Sequence, residues 1–114
     1  MQADQDTVAT TRERLHVDCA GAEIFSHVTS RWGMLVLAEL LDGPQRFAAL
    51  RDRIDGISEK MLSQNLRDLV ADGLLTRTVE PDTPPKVSYQ LTPPGRELAE
   101  KLYAVLEWIG HNLL

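Results

Sequence analysis

Residues Arg46 to Leu75 read RFAALRDRIDGISEKMLSQNLRDLVADGLL, two helical apolar patterns separated by DGIS. A chain that carries such a pair has few ways to bury both stripes. In RFAALRDRI, Phe47, Leu50 and Ile54 recur on one face. Asp55-Gly56 breaks the pattern, since glycine tolerates the backbone angles of a tight turn. Ser58 is placed to cap a second helix running to about Asp72, with Gly73 as its C-terminal stop. The apolar side of that helix is Met61 or Leu62, Leu66, Leu69 and Val70. Two short helices joined by a tight turn are the helix-turn-helix arrangement.

The flanking segments extend this reading. Residues 1–18 are polar and without a clear period, which predicts a flexible arm with a short helical stretch near Arg12–Leu15 as one reading. A short helix is predicted over Ala22–Val28. SRWGMLVLAELLDG follows as a buried helix, capped by Ser30 and ended by Gly43-Pro44, with Trp32, Leu35, Val36, Leu40 and Leu41 at helical spacing. After Gly73 the period changes. LLTRTVE and KVSYQL are β-prone runs joined by PDTPP, which predicts a two-stranded hairpin. Thr92 and Pro93 then open a last helix. Its stripe is Leu98, Leu102, Val105, Ile109 and Leu113, widened by Leu106 and Trp108. The fold class is mainly α with a small β-hairpin: a winged helix-turn-helix flanked by N- and C-terminal helices. Its length of 114 residues suits one domain, read as 19–114 behind the 1–18 arm.

The second helix of such a pair enters the DNA major groove, so its exposed side must carry donors. Here that side carries Lys60, Ser63, Gln64 and Arg67. Arginine pairs with guanine, glutamine with adenine, and serine or lysine holds phosphate. Ser58 and Arg46 adjoin this surface, with Arg51 and Arg53 close in sequence. Arg77 and Lys86 bracket the proline-rich tip, where a wing would meet DNA backbone or minor groove. The hairpin also carries Glu80 and Asp82, and Glu59 and Asp68 flank the donor face; an acid there either repels phosphate or accepts from cytosine. An ordinary solvated polar face is the competing reading.

The formal net charge is -5. An acidic chain is a poor indiscriminate coat for nucleic acid, but a local reading face is compatible with it. The bulk composition excludes other classes. No apolar run approaches the ~18 residues of a membrane span, and the N-terminus has no apolar signal core, so a cytoplasmic protein is expected. The single cysteine, Cys19, rules out an intrachain disulfide. His16, His27 and His111 lack ligand spacing and are read as surface residues; no metal, no cofactor and no enzymatic constellation is expected. Cys19 itself supports two readings, a small packing residue or a thiol activated near a helix start, with Asp18 opposing activation.

LLDGPQRFAALR, GISEKMLSQNLRDL, DGLLTR and PPKVSYQLTPPG closely resemble the HxlR-type family of bacterial transcription regulators. The resemblance spans roughly Cys19 to Trp108. It implies a winged helix-turn-helix homodimer on double-stranded operator DNA, and for some members a redox-sensing cysteine where this chain has Cys19. Two departures stand out. A Gly-Gly-Lys run common in the family is Thr29, Ser30 and Arg31 here, so helix packing is expected to differ. An acid common before the hairpin tyrosine is Ser88 here. A homodimer is expected through Leu98, Leu102, Val105, Leu106, Ile109 and Leu113, although the same stripe also fits an ordinary core. The alternative function is a protein-interaction module without DNA binding. No small-molecule effector is named by the sequence.

Overall fold

The computed structural model describes residues 19–114, and the predicted arm of residues 1–18, with its helical stretch near Arg12–Leu15, lies outside them. Helix α1 spans Cys19–Thr29, longer at both ends than the predicted Ala22–Val28. Ser30 starts α2 (Arg31–Glu39) by accepting from the Gly33 amide at 3.0 Å. Such a cap is worth about 1 kcal/mol. Its hydroxyl also donates to the His27 carbonyl at 2.9 Å, tying the end of α1 to the start of α2. A Cβ on Gly33 would overlap that same carbonyl oxygen. The close helix approach is thus made at Gly33, past the positions where the family's glycine pair would stand.

Helix α2 tightens into a 3-10 turn over Leu40–Asp42, and Gly43 ends it at φ 128°. Val36, Leu37 and Leu40 are fully buried, whereas Trp32, Leu35 and Leu41 pack half-buried around the core. Strand β1 (Gln45–Arg46), helix α3 (Phe47–Arg53) and helix α4 (Glu59–Ala71) follow. Ser58 caps α4 as expected, accepting from the Met61 amide at 3.1 Å. Leu62, Leu66 and Leu69 are buried, each burial contributing roughly 1.5–3 kcal/mol. Met61 is exposed and Val70 half-buried, so Leu62 is the true member of the buried face. The turn between α3 and α4 is pinned by Ile54 and Ile57, both buried.

Strands β2 (Leu75–Glu80) and β3 (Lys86–Leu91) form the expected hairpin, but it is part of a three-stranded antiparallel sheet. β1 adds to the other edge of β3, with Gln45 opposite Tyr89 and Arg46 opposite Ser88. Two residues behind Gly43-Pro44 are too few to show an alternation, which is why the sequence conceals this strand.

Helix α5 (Pro93–Leu113) leaves the sheet at a clamped corner. Thr92 donates its amide to the Leu74 carbonyl at 3.1 Å and its hydroxyl to the Gly73 carbonyl at 2.7 Å. The same hydroxyl accepts from the Gly95 amide at 3.1 Å. A Cβ on Gly95 would overlap the Leu74 oxygen, so only glycine lets the helix start there. Gly73 stands at φ 81°, in the left-handed conformation a helix stop requires.

Candidate nucleic-acid interface

Lys60, Gln64 and Arg67 lie exposed on α4 and Ser63 is partly covered. The hydrophobic stripe of Leu62, Leu66 and Leu69 holds this donor face outward. Gln64 donates to Asp68 Oδ1 at 3.0 Å, and its carbonyl oxygen accepts from Arg67 Nη2 at 3.2 Å. The face is therefore a connected row rather than separate side chains. Ser58 uses its oxygen as the helix cap, which leaves its proton for an outside acceptor.

The structure moves Arg77 from where the sequence suggested. It stands mid-strand opposite Tyr89, and the tip is formed by residues 81–85. There it lines a small hollow of about 110 Å³ with Arg67, Leu66, Val70 and Tyr89. Arg46 and Lys86 converge instead on a wider cleft of about 440 Å³ between the wing tip and α3.

Neighbouring carboxylates decide which cations remain available. Arg51 pairs with Asp52 and Glu59, and Arg53 reaches Glu39 at 3.5 Å and Asp42 at 3.7 Å. These two arginines hold the fold's surface rather than add to the reading face. Lys86 pairs with Asp82 at 3.2 Å. Asp82 also accepts from the Thr83 amide at 2.8 Å, and these bonds hold its carboxyl below the usual range. Among the described residues, Arg46, Lys60, Arg67 and Arg77 form no salt bridge. Arg46 faces Ser88 across the strands, where an acid would have opposed it. Glu59 and Asp68, the flanking acids, both have partners within the protein.

The HxlR-like helix-turn-helix family matches residues 27–114. The chain belongs to this family. Its relatives agree. An uncharacterized HTH-type transcriptional regulator YtfH of Escherichia coli K12 is 50% identical over 95 residues, 83% of this chain and 75% of the relative. The solved structure of a putative transcriptional regulator YtfH from Salmonella typhimurium is 49% identical, with a TM-score of 0.77 over 81% of this chain and 82% of its own. Diamide-treated YodB from B. subtilis is 36% identical, with a TM-score of 0.66 over 78% of this chain and 88% of its own. This member of the HxlR-like family is thus a DNA-binding transcription regulator of winged helix-turn-helix fold, and not an enzyme. That sets aside the interaction-module alternative.

In this HxlR-like protein His27 departs from the surface role expected of it. It is half-buried, with Nδ1 2.7 Å from Asp72 Oδ2 and Nε2 3.8 Å from Asp68 Oδ2. No periodicity announces a pair 45 positions apart. His111 is exposed, and His16 lies outside the described residues. Among the described residues no cluster could hold a metal, and no helix is long and apolar enough to cross a membrane.

The C-terminal stripe divides. Leu98 and Leu102 turn inward onto the core, and Leu106 is half-buried. Val105, Trp108, Ile109 and Leu113 are exposed, at 53%, 58%, 38% and 66%. Cys19 lies in α1.

Proposed function

We propose that two copies of this chain bind one operator duplex, each laying α4 into a major groove. The observation that carries this reading is the α4 face. Lys60, Ser63, Gln64 and Arg67 are presented outward, and Arg67 and Arg77 share a hollow that no carboxylate fills. Arg67 and Gln64 read or anchor base edges, Lys60 and Ser63 lie nearer the phosphates, and Ser58 adds a hydroxyl donor. Arg46 holds the backbone on the wing side, with Lys86, paired to Asp82, beside it.

The dimer reading is supported by the end of α5. From residue 107 onward every residue is exposed, yet Trp108, Ile109, Leu113 and Leu114 are apolar. Such a patch on an isolated domain is an association surface. The contact is therefore proposed through Val105, Ile109 and Leu113, with Tyr103 and Trp108 added and Leu106 at its edge. Leu98 and Leu102 support it from the core side. Two copies would read half-sites roughly 34 Å apart or a small multiple of that.

The oxidant reading rests on the redox cysteine of some family members, whose place in this chain is held by Cys19 in α1. The diamide treatment of YodB is compatible with it.

Selection on random duplexes tests the proposal. A palindrome should be recovered. Arg67→Ala should then cost about 1–3 kcal/mol on it and relax preference at one base pair, while Lys60→Ala should weaken all sequences and lower the salt slope by about one. Wild-type affinity and salt slope in both variants, with folds intact by circular dichroism, would make this face merely solvated.

A further inference from the structure

We propose that His27 is a positioning residue for DNA reading: from α1 it holds Asp68 and Asp72 on α4, and through Asp68 it sets the aim of Gln64 and Arg67. The proposal rests on α4 being the reading helix and adds a control to it. The contacts form a row of one charge contact and two hydrogen bonds. His27 Nε2 faces Asp68 Oδ2 at 3.8 Å, Asp68 Oδ1 accepts from Gln64 Nε2 at 3.0 Å, and Gln64 Oε1 accepts from Arg67 Nη2 at 3.2 Å. His27 is anchored at its other nitrogen by Asp72 at 2.7 Å. The Ser30 bond holds its own carbonyl, so the imidazole starts from a tethered backbone.

The charges explain why this row matters. Asp68 and Asp72 sit in the last turn and at the C-cap of α4, where the helix end is already negative. Two carboxylates there need a cation. Among the described residues the charged groups acting on His27 are Asp72 and Asp68 from α4 and Glu23 from α1, all acidic. A protonated imidazole donates from both nitrogens, a neutral one from a single nitrogen. The nearer partner, Asp72, keeps that single hydrogen. Asp68 then loses its cation, and its negative charge draws Gln64 and Arg67 back along the helix and opposes an approaching phosphate. Operator affinity should therefore fall about two- to fivefold as His27 loses its proton, the scale of one charge at a helix end.

Two measurements test this. In the free protein, the Gln64 side-chain amide signals should shift between about pH 5 and pH 8 with the midpoint of His27. In His27→Gln they should stay still. A Gln64 signal that ignores the His27 titration in the wild type overturns the proposal without any DNA. On the duplex recovered by selection, wild-type affinity should fall with rising pH, whereas His27→Gln and Asp68→Asn should be flat. Asp68→Asn leaves the Asp72 anchor intact and so covers a His27→Gln chain that folds poorly. If the variants keep the wild-type pH profile while Arg67→Ala loses affinity, the relay is wrong and the reading helix stands. If Arg67→Ala also binds normally, the reading helix itself fails.

Discussion

Arg46 and Ser88 are partners in the antiparallel pairing of β1 with β3, so their side chains emerge on one face of the sheet. Opposite charges in that relationship stabilise a sheet by roughly 0.2–1 kcal/mol and neutralise each other. Serine does neither, and it leaves the Arg46 cation to the cleft it shares with Lys86. Ser88→Asp should therefore raise stability slightly and weaken operator binding. Titrating the selected duplex at several salt concentrations should show the salt slope reduced by about one phosphate contact. An unchanged slope would remove Arg46 from the interface.

A second expectation concerns the end of α5. Val105→Glu with Ile109→Glu places two carboxylates at the proposed contact, where burying charge without a partner is costly. Both side chains are exposed within one chain, so the subunit should stay folded. Sedimentation should show folded monomers with operator affinity sharply reduced. A native dimer from the double variant would refute this interface.

His27 also makes a prediction about stability. Its hydrogen bond with Asp72 raises its pKa above the usual 6.5, against the opposing effect of burial. A raised folded value means the folded state binds the proton more tightly than the unfolded chain. The contribution is thus fully present below about pH 6.5 and is lost as pH rises through the higher folded value. Wild-type Tm should fall across that window relative to His27→Gln. Parallel Tm curves for the two would show that the pair adds nothing to folding.

Oxidation offers a fourth test. Diamide removes two hydrogens from two thiols, forming one disulfide while becoming the hydrazine. One cysteine per chain means that any such protein disulfide joins two chains. Treated wild type should run as a linked pair on non-reducing gels and change its operator affinity, and Cys19→Ser should do neither. If the wild type ignores diamide and Cys19→Ser binds normally, Cys19 is a packing residue.

The helices were legible because their signals are local. Ser30, Ser58 and Thr92 announce their caps, and Gly73 announces a stop. The donor face of α4 was legible for the same reason, since period 3.6 separates Leu62, Leu66 and Leu69 from Lys60, Gln64 and Arg67. What escaped depends on the chain folding back. β1 exists only because β3 passes beside it, and Arg77 meets Arg67 only because β2 packs on α4. The inward turn of Leu98 and Leu102 was hidden too, because an apolar stripe does not say which of its turns faces the core. Arg51 and Arg53 looked available until the acids of other segments were placed beside them.

The Thr92 corner has a mechanical consequence. Two hydrogen bonds from Thr92, to the Gly73 and Leu74 carbonyls, and the close approach of Gly95 to Leu74 join the exit of α4 to the start of α5. With this corner closed, a rotation of α5 is passed to α4 as in one lever. With α5 about 32 Å long, a tilt of about 5° at its base carries the far end by about 3 Å. The same lever works in reverse: a small rotation where two α5 ends meet is delivered to α4 as a change of angle in the groove. A signal that reaches the proposed dimer contact would thus alter operator spacing by turning whole subunits, with no bending inside either one.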